Sequence, residues 1–265
     1  MATPTFLIMS GYGINCETET QYAFEQAGGK ADIVHINDLI DKRKKLSDYQ
    51  GIAFPGGFSF GDDTGSGKAF ANRIRRYLME DLQRFLEEDH LTIGICNGFQ
   101  IMTALGIVPA FQEDRRPQVA LTHNNSARYV ARWVDVQFGG LTPWTENIGT
   151  IPLPIAHGEG KFYAPEDLLE RLSTGHMIAA NYVQGEICEH FDYPANPNGS
   201  LRNIAGITDI TGKVLGMMPH PERALEFTNL PHWTWLKARL ERSKEPLPTR
   251  GPGRKIFENG VRYFQ

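Results

Sequence analysis

Cysteine is scarce. Only Cys16, Cys96 and Cys188 occur in 265 residues, an odd number with no Cys-x-x-Cys pair, so a disulfide framework is excluded and a reducing compartment fits. Long apolar runs are missing as well. No stretch approaches the roughly 18 apolar residues of a membrane span, and the N-terminus lacks a basic region followed by a long apolar one; the expectation is a cytoplasmic protein with no membrane contact. Positive charge is not in excess: 27 Lys and Arg face 31 Asp and Glu, a net charge of -4. That leaves no footprint for nucleic acid, and Lys42-Arg43-Lys44-Lys45 reads as a solvated turn or helix end. With 41% apolar and 22% charged residues, neither disorder nor a fibre is indicated. The length suits one sizeable core, burying roughly 75% of the surface the unfolded chain exposes.

What is present is a rhythm. Thr5 to Met9 is a short apolar run that stops at Ser10-Gly11-Tyr12-Gly13 and is followed by a helical stretch from Glu17 to Ala27, ended by Gly28-Gly29. Strand-like runs return at Ala31 to Ile36, Gly51 to Phe54 and Leu91 to Ile95. Between the last two, apolar positions at 70, 74, 77, 78, 82, 85 and 86 predict one helix over 68–88. This alternation predicts a doubly wound α/β core with a mostly parallel sheet and flanking helices. Beyond Gly106 the segments are β-rich, at 118–122, 129–138 and 177–183 with a short helix near 166–172, which predicts an antiparallel extension. Strands follow at 204–208 and 213–218, then a last helix over about 222–242. Residues 1–245 are read as the domain, and the Pro/Gly-rich 246–265 as a C-terminal tail and candidate docking segment.

Gly94-Ile95-Cys96-Asn97-Gly98 lies where an apolar run meets a helical one, the strand-turn-helix context of a nucleophile elbow. Glycines on both sides suit strained angles and close backbone approach. A helix N-terminus and a nearby imidazolium both favour the thiolate. The histidine is available in Met217-Met218-Pro219-His220-Pro221-Glu222, delivered as a strand ends with a carboxylate two residues on. Cys96 as nucleophile, His220 as base and Glu222 as its orienter form a triad in the chain order Cys, His, Glu. Pro55-Gly56-Gly57-Phe58 ends another strand on the same sheet edge, and the backbone N–H groups of Gly57 and Asn97 would form an oxyanion hole. Each motif alone has a plainer reading: a core thiol, a helix cap, a tight turn. Their conjunction favours chemistry.

Two patterns are set aside. Gly61-Asp62-Asp63-Thr64-Gly65-Ser66-Gly67-Lys68 looks like a phosphate loop, but it has one residue too many and Ala69 where Ser or Thr belongs. His157-x-Glu159 lacks further ligands at zinc-like spacing, so no metal is expected. Cys16 and Cys188 are read as core thiols.

These residues resemble the class I glutamine amidotransferases, and within them the glutaminases of phosphoribosylformylglycinamidine synthases. The resemblance covers most of residues 5 to 223. It rests on Gly94 to Gln100, Pro55 to Asp62, Ala156-His157-Gly158-Glu159-Gly160, Tyr193 to Ser200 and Met217 to Arg223. It implies hydrolysis of glutamine by Cys96, His220 and Glu222, an oxyanion hole at Gly57 and Asn97, and Gln100 helping to hold the substrate. It further implies ammonia passed to a large synthetase subunit that carries the ATP and Mg chemistry, allows a small bridging subunit, and requires no cofactor in this chain. One departure is Asn181-Tyr182-Val183-Gln184, where the family often has Arg-Tyr-x-Asp. The rival readings are another cysteine hydrolase on the same scaffold, such as a γ-glutamyl hydrolase or peptidase, and a non-catalytic docking module.

Overall fold

The computed structural model describes residues 3–265. In the first part of the chain, strands β1 (Thr5–Ser10), β2 (Lys30–His35), β3 (Gly51–Phe54) and β4 (Leu91–Ile95) alternate with helices α1 (Glu17–Gln26), α2 (Ile36–Ile40), α3 (Lys68–Tyr77), α4 (Met79–Glu87) and α5 (Asn97–Leu105). The second part supplies β5 (Ala120–Thr122), β6 (Val130–Phe138), β7 (Thr150–His157), β8 (Lys161–Tyr163), α6 (Glu166–Thr174), β9 (Ile178–Val183) and α7 (Glu186–Phe191). Strands β10 (Ile204–Thr208) and β11 (Val214–Met217) precede helices α8 (Trp233–Ser243) and α9 (Arg254–Arg262).

One nine-stranded sheet runs in the order β2-β1-β3-β4-β11-β10-β9-β6-β7, with β5 and β8 forming a separate two-stranded ribbon. The first five strands are parallel; β10, β9, β6 and β7 continue the sheet antiparallel. The expected α/β core with an antiparallel extension is therefore present. Every residue of β3, β4, β10 and β11 is buried, which is why the central strands read as continuous apolar runs rather than as alternating ones.

Several elements differ from expectation, each for a physical reason. The helix predicted over 68–88 is two helices: Leu78 leaves helical geometry at φ -131°, ψ 2°. The bend lets Phe70 and Ile74 on one side, and Leu82 and Phe85 on the other, all reach the core. The helix predicted from 222 begins only at Trp233. Pro231 holds Leu230 extended, and residues 221–223 and 227–229 form isolated 3-10 turns instead. Strand β7 escapes the sequence reading because Pro152 and Pro154 interrupt it, yet it lies at the sheet edge, where proline is tolerated.

Residues 246–265 do not trail away from the 1–245 unit. Ile256, Phe257 and Val261 of α9 are buried, the Phe257 ring meets Phe24 of α1 edge to face at 5.0 Å, and Asn259 Nδ2 donates to the carbonyls of Trp144 and Glu146. Burying such side chains stabilises by about 1.5–3 kcal/mol each, so this helix is an integral part of the core.

Candidate active site

Three adjacent parallel strands, β3, β4 and β11, end on the same edge of the sheet. The carboxyl end of each carries one of the predicted features: the Gly56-Gly57 turn after β3, Cys96 after β4, and His220 three residues after β11. Ligands of open α/β sheets bind in this crevice.

Cys96 sits at φ 53°, ψ -107° between β4 and α5, a strained corner of the kind that presents a nucleophile. The corner is possible because Gly98 has no side chain: a Cβ there would lie 1.8 Å from the Phe54 carbonyl oxygen of β3. Cys96 is almost enclosed, and its Sγ lies 3.7 Å from the Ala156 carbonyl oxygen at the end of β7. His220 is fixed through its own backbone, whose N–H donates to the Pro154 carbonyl at 2.8 Å. Its Nδ1 is 2.5 Å from Glu222 Oε1, with both side chains buried. Among the described residues its Nε2 has no hydrogen-bond partner. A carboxylate that accepts a hydrogen bond from Nδ1–H leaves Nε2 with a lone pair, the tautomer a general base requires. Burial opposes the charged ring, but the Glu222 carboxylate and then the sulfurs of Cys96 and Cys16 outweigh it, and the His220 pKa is held well above its ordinary value.

Gly57 adopts φ 156°, and a Cβ there would lie 2.5 Å from the Gly13 carbonyl oxygen and 2.7 Å from Ile14 Cα. Among the described residues, neither the Gly57 N–H nor the Asn97 N–H is engaged by a carbonyl or side chain, so both donors are available. The Asn97 side chain ties the two turns together. Its Oδ1 accepts from the Ser59 N–H at 3.1 Å, and its Nδ2 donates to Gln100 Oε1 at 2.8 Å and Asp62 Oδ1 at 3.2 Å. Gln100 in turn donates to the Glu159 carbonyl at 2.6 Å. Both ends of the Gln100 side chain are thus engaged within the chain.

The two patterns set aside in the sequence also gather here. In the 61–68 loop, the N–H groups of Ser66 and Gly67 point at the carboxylates of Glu159 and Asp62, so the donors a phosphate would need are turned onto the chain's own acids. Burial raises the Asp62 pKa against the pull of its hydrogen bonds. His157 is buried with Nδ1 3.1 Å from Asn124 Oδ1; burial first, and then the neighbouring His220, push its pKa down to about 3. It is a neutral histidine packed behind the site.

Sequence reasoning missed Cys16. Its Sγ, a ring nitrogen of His220 and a carboxylate oxygen of Glu222 lie within 4.8 Å of one another, and Arg223 Nη2 is 2.9 Å from the sulfur. No local pattern marks this residue, because its partners lie about two hundred positions away.

The model of the CobB/CobQ-like glutamine amidotransferase domain matches residues 3–264. A protein of Methanococcus maripaludis (strain C5) named phosphoribosylformylglycinamidine synthase subunit PurQ is 47% identical, covering 98% of each chain. Its namesake in Dehalococcoides mccartyi is 40% identical over 97% of this chain and 96% of its own. Among solved structures, a chain of PurLQS from Thermotoga maritima superposes with a TM-score of 0.72 at 27% identity, covering all of both chains. A glutamine amidotransferase from the same organism, 15% identical over 99% of this chain and 92% of its own, shares the fold at a TM-score of 0.52. A strand-helix elbow bearing cysteine, a histidine-carboxylate pair just beyond the neighbouring strand and a match along nearly the whole chain converge: the protein belongs to the CobB/CobQ-like glutamine amidotransferase family.

Proposed function

We propose that this chain is the glutaminase subunit of a phosphoribosylformylglycinamidine synthase. It hydrolyses glutamine to glutamate and ammonia, and the ammonia serves a synthetase subunit that converts formylglycinamide ribonucleotide to its amidine in purine biosynthesis. The observation that carries the reading is the convergence of Cys96, the His220-Glu222 pair and two free backbone donors at the ends of β3, β4 and β11, in a chain 47% identical to a PurQ subunit.

In the reaction, His220 Nε2 takes the Cys96 thiol proton as the sulfur attacks the side-chain carboxamide carbon of glutamine. The Gly57 and Asn97 N–H groups receive the negative oxygen of the tetrahedral intermediate. His220 returns the proton to the departing nitrogen, ammonia leaves, and a glutamyl thioester remains. Water, deprotonated by His220, then releases glutamate and restores the thiol. Glu222 stabilises the imidazolium in both halves. Gln100, engaged with Asn97 and the Glu159 carbonyl, shapes the wall of the glutamine pocket by holding the 157–160 turn against α5.

The chain works in complex with the synthetase large subunit, with place for a small bridging subunit; the likeness to a chain of PurLQS from Thermotoga maritima supports this assembly. ATP and Mg act in the synthetase, this chain needs neither, and the complex resides in the cytoplasm. No helix among the described residues is long and apolar enough to cross a membrane. The test pairs the chain with its synthetase and follows amidine formation from glutamine and from ammonium salt. Cys96→Ala should abolish the first and spare the second; loss of both would refute the division of labour.

A further inference from the structure

Cys16 takes no step in the reaction proposed above, yet its side chain is fully buried against the residues that do. It closes the segment that straps the oxyanion turn: the N–H groups of Asn15 and Cys16 both donate to the Gly56 carbonyl at 3.2 Å, and that of Phe58 donates to the Gly13 carbonyl at 2.7 Å. The backbone of Cys16 is therefore fixed relative to β3, and its sulfur is a fixed point beneath His220.

That point is occupied by Arg223, whose Nη2 lies 2.9 Å from Cys16 Sγ. Arg223 Nε is 3.9 Å from Glu222 Oε1, the same oxygen that faces His220 Nδ1 at 2.5 Å. The other carboxylate oxygen, Oε2, has no hydrogen-bond partner among the described residues. The carboxylate is thus held through one oxygen, by the imidazole and by a guanidinium. The Arg223 side chain keeps 38% of its surface exposed, and a long cationic side chain in that position would ordinarily extend into water. The sulfur supplies the acceptor that keeps it inward.

We propose that Cys16 is a positioning residue: its sulfur pins the Arg223 guanidinium beside Glu222 Oε1, and the guanidinium fixes the carboxylate that aims His220. The inference rests on the triad reading. It makes Cys16 and Arg223 one unit, so that removing either removes the same restraint.

The test uses the full chain with its synthetase and measures kcat and KM for glutamine in Cys16→Ala, Cys16→Ser, Arg223→Gln and the Cys16→Ala/Arg223→Gln double variant, with Cys96→Ala as control. Each alanine or glutamine single variant should lower kcat about tenfold with KM within about twofold, and the double variant should fall no further, as for residues acting through one contact. Cys16→Ser should recover most of the rate, since its hydroxyl accepts the same N–H. Arg223→Gln changes a partly exposed group and keeps the test open should Cys16→Ala fail to fold. A wild-type kcat in Arg223→Gln, losses that multiply to about 100-fold in the double variant, or a Cys16→Ser enzyme no better than Cys16→Ala would each overturn the proposal. Persistent glutamine-dependent activity in Cys96→Ala would instead overturn the triad reading beneath it.

Discussion

Replacing Glu222 by glutamine changes the charge of the site while preserving its shape. In the wild-type chain, Glu222 Oε1 stands 2.5 Å from His220 Nδ1, and both side chains are out of contact with solvent. When His220 takes the Cys96 proton, this pair becomes an imidazolium and a carboxylate. Taking the charge centres as about 4 Å apart in an effective dielectric of about 20, their attraction is about 4 kcal/mol, equivalent to about a thousandfold in rate. A neutral amide forfeits that support. It can also present its NH2 group to Nδ1, which places the ring proton on Nε2 and removes the lone pair that must accept from sulfur. The combined expectation is a fall in glutamine-dependent kcat of about 10³- to 10⁴-fold, with KM for glutamine little changed, because the carboxylate does not touch the substrate. The assay is steady-state amidine formation by the reconstituted complex, run with glutamine and in parallel with ammonium salt, the latter expected to be unaffected. Circular dichroism confirms the fold. A kcat within tenfold of wild type, in a folded protein, would falsify the assignment of Glu222 as the imidazole's partner.

Gly57→Ala should lower kcat about 100-fold by re-aiming one oxyanion donor. Its new Cβ would lie 2.5 Å from the Gly13 carbonyl oxygen in a backbone held at φ 156°, and wild-type turnover would remove this turn from the oxyanion hole. His157 predicts a pH dependence of stability. Its pKa is pushed from 6.5 to about 3 in the folded chain, so the unfolded chain takes up the proton first, and stability is lost as pH falls below 6.5. Near pH 5 the loss is about 2 kcal/mol. Chemical denaturation of His157→Gln at pH 7.5 and 5 should therefore show about that much less acid sensitivity than wild type, and equal sensitivity would contradict the buried neutral ring.

The parallel half of the fold and the gathering of the candidate triad residues at adjacent strand ends were legible for the same reason. Central strands buried on both faces leave unbroken apolar runs, and the glycines around Cys96 and the carboxylate beside His220 sit within a few positions of the residues they serve. What could not be read was whatever depended on distant partners. Cys16 meets Arg223 across 207 positions, and nothing near it in sequence distinguishes it from a core thiol. Helix α9 hides behind a run of prolines and glycines, and its charged Arg254, Lys255 and Glu258 mask an apolar stripe whose receiving surface, Phe24 and Trp144, is far upstream. His157 and Glu159 looked like an incomplete metal site because their real partners, Asn124 and the 61–68 loop, come together only in the folded chain.

Strand β7 carries its two prolines at the last position of a nine-stranded sheet. With Pro152 and Pro154 the outer side of this strand offers no N–H at either residue, and the Pro154 carbonyl is already taken by His220. A strand from another molecule approaching this edge would find no donor at 152 or 154 and the Pro154 acceptor already engaged, so it could not extend the ladder regularly through this stretch. The interruption that conceals β7 from a reader of the sequence thus works against edge-to-edge pairing at this end of the sheet, and the backbone of His220 adds to it.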